Sequence, residues 1–321
     1  MPSKKTATFI GLIAVLLWSA SVGLIRSVSE SFGATGGAAL IYTVASVILL
    51  FTLGPTRISQ LPRAYLWVGG TLFVAYELCL SLSLGLASSG RQAIEVGMVN
   101  YLWPTFTMTA AILFNGQRSN AWIVPGFLLG VLGVCRVLGG DQGLDVHQMV
   151  ANVQGHPLTY GLALVGALLW AAYCTVTPRI AKGQNGVTLF FMLSAAALWI
   201  KFLWGEQPTM AVNLRSVGFL VLASSAMAFG YSAWNVGLLR GHVTVLAGAS
   251  YFIPVMSAAL AAALLNAPLP WTFWQGAGMV CAGSLLCWVA TRCGSTPASD
   301  PPALHPASPP APALRHNDSG E

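Results

Sequence analysis

Charge is what this chain has least of. Of 321 residues, 7% are charged, against 55% hydrophobic, and mean hydropathy is +0.70. A soluble domain carries about 25% charged residues. So few charges cannot cover a water-facing surface of this size, which excludes an ordinary soluble protein. The net charge of +6 is spread singly between apolar runs, so there is no basic patch for nucleic acid. The six cysteines (Cys79, Cys135, Cys174, Cys281, Cys287, Cys293) contain no CxxC and no cysteine-histidine metal spacing. The five histidines, at 147, 156, 242, 305 and 316, fall in predicted loops, helix ends or the tail, which argues against a histidine metal site inside a membrane. HExxH, GxSxG and the P-loop are missing too, so neither an enzyme nor an ATP-driven pump is indicated, and no cofactor is expected.

What the chain does have is a succession of apolar runs near the ~20 residues that cross a bilayer core. They lie at about 7–25, 36–53, 64–87, 91–114, 121–139, 158–178, 187–204, 215–238, 242–265 and 271–291. The basic start resembles that of a signal peptide. However, Leu16-Leu17-Trp18 recurs as Leu168-Leu169-Trp170, so the first run is read as a retained helix. Barrel strands would be short and alternating. The expectation is an all-α membrane protein of ten transmembrane helices. Ten of the fifteen Lys and Arg residues fall on the side of the termini, and only Arg26, Arg91, Arg136, Lys201 and Arg215 on the other. That bias predicts cytoplasmic termini. Arg26, Arg136 and Lys201 are expected to snorkel at outer helix ends.

An internal repeat organises these runs. Tyr101 and Pro104 match Tyr251 and Pro254 at an offset of 150, as Gly126 and Gly133 match Gly276 and Gly283. Gly85 matches Gly237 at 152. Each repeat then holds five helices, and an odd number inverts the second relative to the first. The predicted units are residues 1–139, a polar non-cytoplasmic connecting loop over 140–157, residues 158–293, and a Pro, Ala and Ser-rich tail over 294–321 expected to be disordered. Two inverted five-helix repeats around a central cavity are characteristic of secondary transporters, with the site near the midplane.

Polar groups inside the runs are the candidate site. For Glu77, near the centre of the third run, three roles stay open: partner for a substrate ammonium, proton exchange, or a hydrogen bond between helices. Tyr76 and Leu80 share the adjacent helix face. Asn100 and Ser250 each lie four residues before a proline, so their carbonyls lose a helical partner and Pro104 and Pro254 become candidate hinges. Glu95 follows Arg91 by four residues, which reads either as an ion pair or as an external gate. Aromatics crowd helix centres rather than ends: Trp18, Tyr76, Tyr101, Trp103, Trp170, Tyr173, Tyr231, Trp234 and Tyr251. With Asn235 on the Trp234 face, such a lining suits a flat apolar group attached to a zwitterion, or an aromatic cation.

Several strings carry a resemblance. Gln92 through Pro104, Trp170-Ala171-Ala172-Tyr173-Cys174-Thr175-Val176-Thr177, Ala233-Trp234-Asn235-Val236-Gly237 and Phe273-Trp274-Gln275-Gly276-Ala277 resemble the YddG-type aromatic amino acid exporters of the drug/metabolite transporter superfamily, with EamA-type repeats. The similarity runs from about Thr8 to Arg292. It implies a bacterial inner-membrane protein exporting phenylalanine, tyrosine and tryptophan through a basket of inner helices. Related small drug exporters exchange protons at a glutamate on their first helix. The first helix here lacks one, so that role does not pass to Glu77 by position, and a facilitative mechanism is expected. Two rivals remain, a proton-coupled exporter of cationic aromatic drugs such as methyl viologen, and a membrane sensor or scaffold that binds without transporting. The expected partners are the small-molecule substrate and the bilayer, with no nucleic acid and no obligate protein partner.

Overall fold

In a computed structural model, residues 3–205 and 209–292 are described, apart from the side chains of 235, 238–240, 243, 244 and 292. Every regular element among them is helical. Helix α1 (Lys4–Phe32) starts where the Ser3 hydroxyl accepts the Thr6 N–H at 3.2 Å. It turns directly into α2 (Ala34–Thr52) through Gly33, whose φ of 76° suits glycine. A π-helical turn, Tyr65–Gly69, leads into α3 (Gly70–Gly85). Then follow α4 (Gly90–Asn100), α5 (Trp103–Asn115) and α6 (Ile123–Leu138). The remaining helices are α7 (Val146–Gly155), α8 (Pro157–Ile180), α9 (Val187–Trp204), α10 (Leu214–Arg240), α11 (Val243–Ser250), α12 (Ile253–Leu264) and α13 (Trp271–Arg292).

Among the described residues, seven segments are long and apolar enough to cross a membrane: α1, α2, α3 with its π turn, α8, α9, α10 and α13. The other three expected runs differ from plain spans. The 91–114 run is split into α4 and α5, and the 242–265 run into α11 and α12, while the 121–139 run is a 16-residue helix. The cause of the splits is local. Pro104 and Pro254 occupy the first turns of α5 and α12, where a missing N–H leaves no intrahelical bond unmade. Just before them the chain tightens: Leu102 N–H bonds Val99 O at 3.2 Å and Phe252 N–H bonds Ala249 O at 3.1 Å, each only three residues back. The expected kinks are therefore breaks. The 140–157 segment also differs from the expected loop, since it contains α7. Asp145 caps that helix by accepting the N–H groups of His147 (2.9 Å) and Gln148 (3.1 Å). The expected disordered tail lies outside the described residues.

Packing follows from which faces are apolar and which are small. Large apolar side chains lie bare on the outside, among them Phe51 (87% exposed), Trp204 (88%) and Leu214 (92%). Only lipid tolerates that surface. Exposed Trp67, Trp122, Trp204 and Trp271 sit near helix ends, as an interfacial belt does. Inside, α1 packs along α10, α3 along α8, α2 against α9 and α6 against α13. The α6–α13 contact is made by glycines. A Cβ on Gly133 would stand 2.7 Å from Gly276 O, and one on Gly283 2.7 Å from Gly126 O, so any side chain would collide with backbone. Arg26 donates to Gly85 O at 3.1 Å and pairs with Glu30 at 3.2 Å. Arg136 bonds Gln275 across α6 and α13, and Lys201 stays exposed.

Candidate functional site in the helix bundle

A cavity of about 270 Å³ opens where the inner helices meet. Its wall is aromatic because five helices each turn rings inward. Trp170 of α8 stacks on Tyr173 (centroids 5.0 Å apart, 18° between planes) and lies 4.5 Å from Tyr76 of α3. Trp103 meets Trp170 edge-on at 6.3 Å. On the opposite side Trp18 of α1 sits 5.2 Å from Trp234 and 5.3 Å from Tyr231, both of α10. Glycines make room for these rings: a Cβ on Gly230 would fall 2.7 Å from the Trp18 indole nitrogen.

The structure brings Trp18, Tyr76, Glu77, Leu80, Asn100, Tyr101, Trp103, Trp170 and Trp234 together around this space. Two predicted lining residues stand elsewhere. Tyr173 is buried behind Trp170, its hydroxyl 3.3 Å from that of Tyr65. Tyr251 is 6% exposed, is not among the residues that line the cavity, and lies 6.1 Å from Trp288 of α13. The side chain of Asn235 lies outside the described residues. Pro104 and Pro254 sit just beyond the two breaks. Tyr231, Met227 and Cys174 also line the wall. Tyr231 was legible as a central aromatic, whereas nothing in the spacing marked Met227 or Cys174.

Glu77 is fully buried in the cavity wall. Both its oxygens are already engaged. Tyr42 of α2 donates to Oε2 at 2.5 Å and Tyr231 donates to Oε1 at 2.8 Å. Ser81 in turn donates to the Tyr42 hydroxyl at 3.1 Å. Of the three roles open for Glu77, these bonds match the one between helices, joining α3 to α2 and α10, while the carboxylate also borders the cavity. Tyr42 was missed by sequence reasoning, since it lies 35 residues away and outside every repeated string. Two further polar atoms at the cavity are buried without a hydrogen-bond partner among the described residues: Asn100 Oδ1 and Trp18 Nε1.

A second, polar recess of about 460 Å³ lies at the end of the bundle where α4 and α8 begin. There Arg91 pairs with Glu95 at 3.1 Å, as the i,i+4 spacing predicts, and also with Asp141 at 2.8 Å. Tyr160 of α8 donates to the other oxygen of Glu95 at 2.9 Å. The cluster thus ties α4 to α8. Among the described residues no group of three His, Cys, Asp or Glu side chains is placed to hold a metal ion.

The chain is similar to known proteins over most of its length. Residues 157–289 match the EamA-like transporter family. The aromatic amino acid exporter YddG of Escherichia coli (strain K12) is 56% identical over 292 residues, covering 91% of this chain and 100% of that protein. The exporter of the same name in Salmonella typhimurium is 55% identical, covering 91% and 99%. One crystal structure, described without a function, has the same fold, with a TM-score of 0.64 at 22% identity over 90% of this chain and 99% of that one. An identity above one half, across nine-tenths of the chain, leaves no other assignment: this chain belongs to the YddG-type aromatic amino acid exporters, within the EamA-like transporters.

Proposed function

We propose that this protein exports aromatic amino acids across the bacterial inner membrane by alternating access, without an obligatory ion gradient. The observation that carries the reading is the cavity itself, a small space walled by Trp18, Tyr76, Trp103, Trp170 and Trp234. At about 270 Å³ it is at the small end of ligand pockets. Rings on opposite sides suit one flat side chain, and Asn100, Ser21 and Tyr231 supply polar edges for the head group. The relatives named as exporters of aromatic amino acids point the same way.

The mechanism rests on ten crossings in two inverted repeats, residues 1–139 and 158–293, joined by a non-cytoplasmic segment over 140–157 with both termini cytoplasmic. Packing supports it. Exchanging α1 with α8, α2 with α9, α3 with α10 and α6 with α13 turns the α1–α10 contact into the α3–α8 contact and leaves α2–α9 and α6–α13 in place. Gly126 with Gly283 and Gly133 with Gly276 make the reciprocal contact that a two-fold relation produces. In this reading Pro104 and Pro254 allow the broken helices to bend, and Arg91, Glu95 and Tyr160 close the outer mouth.

Counterflow of labelled phenylalanine into liposomes tests the reading. Saturable, gradient-independent exchange is expected. A second reading has one specific observation behind it: the one charged side chain among the described lining residues is a carboxylate, which suits cationic aromatics. Exchange of methyl viologen that demands a pH gradient, with none of phenylalanine, would establish that reading instead. Saturable binding with no flux of either would leave a sensor.

A further inference from the structure

Tyr231 and Glu77 share one proton-bearing contact whose direction the surroundings determine. A phenol carries one proton and accepts through its oxygen. The Tyr42 oxygen already accepts from Ser81, so its own proton goes to Glu77 Oε2. Tyr42 is 1% exposed, and the other hydrogen bond its hydroxyl makes among the described residues is the one it accepts from Ser81. Oε2 is therefore fixed as an acceptor. Oε1 faces Tyr231, which is half-buried and borders the cavity. If Glu77 takes up a proton, that proton sits on Oε1 and donates to the Tyr231 oxygen. The Tyr231 O–H must then leave Glu77 and turn into the cavity, the open space beside it.

We propose that Glu77 and Tyr231 form a reversible hydrogen-bond switch in which protonated Glu77 presents the Tyr231 hydroxyl to the carboxylate of a bound amino acid. Tyr231 is the residue that touches substrate, and Glu77 is a positioning residue acting through it. The proton comes from water and returns to it, with no bond made or broken except O–H. The groups facing Glu77 from neighbouring helices are few. Tyr42 of α2 and Tyr231 of α10 bond it, Tyr76 is its neighbour on α3, and Phe191 of α9 lies against Tyr42 and Tyr231, while Trp18, Ser21, Tyr101, Trp170 and Cys174 line the same cavity. No Lys, Arg or His lines the cavity among the described residues, so the substrate carboxylate has no cation there to meet. This inference rests on the exporter reading and specifies how that site recognises the amino acid head group.

The test is counterflow in liposomes with two probes, labelled phenylalanine and phenethylamine, which lacks the carboxylate. Tyr231→Phe should raise KM for phenylalanine about tenfold, the loss of one hydrogen bond to a charged group, and change that for phenethylamine by about twofold or less. KM of the unaltered protein should fall as pH is lowered from about pH 8 to about pH 5, tracking proton uptake by one buried acid. Glu77→Gln should abolish that pH dependence, because its amide N–H₂ donates to Tyr231 permanently while its carbonyl still accepts from Tyr42. The unfolding temperature in detergent distinguishes a misfolded variant, and Tyr42→Phe provides an independent check by freeing Oε2 and broadening the pH profile. Tyr231→Phe with unchanged KM, equal loss for both probes, or a pH dependence that persists in Glu77→Gln would overturn the switch. Failure of the unaltered protein to exchange phenylalanine at any pH would overturn the exporter reading instead.

Discussion

Two helix pairs flank the cavity, α1 with α10 and α3 with α8, and they are built from opposite materials. The first closes on glycine. A Cβ on Gly237 would stand 2.7 Å from Gly11 Cα, and Leu246 of α11 fills the space beside them. The second closes on rings, with Trp170 against Phe73 and Tyr76, and leaves space between them. Backbone contact at glycine gives close approach and nothing to bind. Ring contact gives area, a polar edge and voids of irregular shape. The more extensive contact is the glycine one. Its glycine stretch acts as the wall, and its own rings, Trp18, Tyr231 and Trp234, share the lining of the site with the aromatic pair.

Substitutions can break or sharpen this contrast. Gly237→Val should have the largest effect on folding, about 3 kcal/mol or more, since the colliding atom is backbone and cannot rotate away. An unfolding temperature in detergent equal to that of the unaltered protein would remove the wall role. Trp170→Ala should cost about 2 kcal/mol, less than a fully buried tryptophan because one side already faces the void. Its larger effect should be on transport, with KM for phenylalanine raised at least about tenfold. A fold loss exceeding that of Gly237→Val would reverse the comparison. Asp145→Ala lies on α7, away from both pairs, and should cost only the cap, about 1 kcal/mol, with counterflow kinetics unchanged.

Local and repeated features were legible in the sequence. The Tyr101-Pro104 and Tyr251-Pro254 pairs marked both helix breaks, and the Arg91-Glu95 spacing marked the ion pair. Other features depend on contacts distant in sequence. Glu77 read as a lone acid, yet its partners are 35 and 154 residues away, on helices whose approach no spacing encodes. Equal positions in the repeat also proved unequal in use. Gly237 abuts Gly11, whereas its match Gly85 abuts Ala34 Cα and Ser29 Oγ. Tyr101 faces the cavity and Tyr251 faces Trp288. A one-dimensional repeat fixes which residues correspond, and the partner each meets depends on how the helices around it pack.

The crossing of α6 with α13 has a mechanical consequence. Its contact points, Gly126, Gly133, Gly276 and Gly283, have no rotamers, so the joint has no play. It is a bearing whose two surfaces are main chain. At these glycines it forms without freezing a side chain, while Val137, Val280 and Cys287 pack beside them. A swing of one part of the bundle against the other would then be taken up elsewhere, at the breaks before Pro104 and Pro254 and among the rings around the cavity.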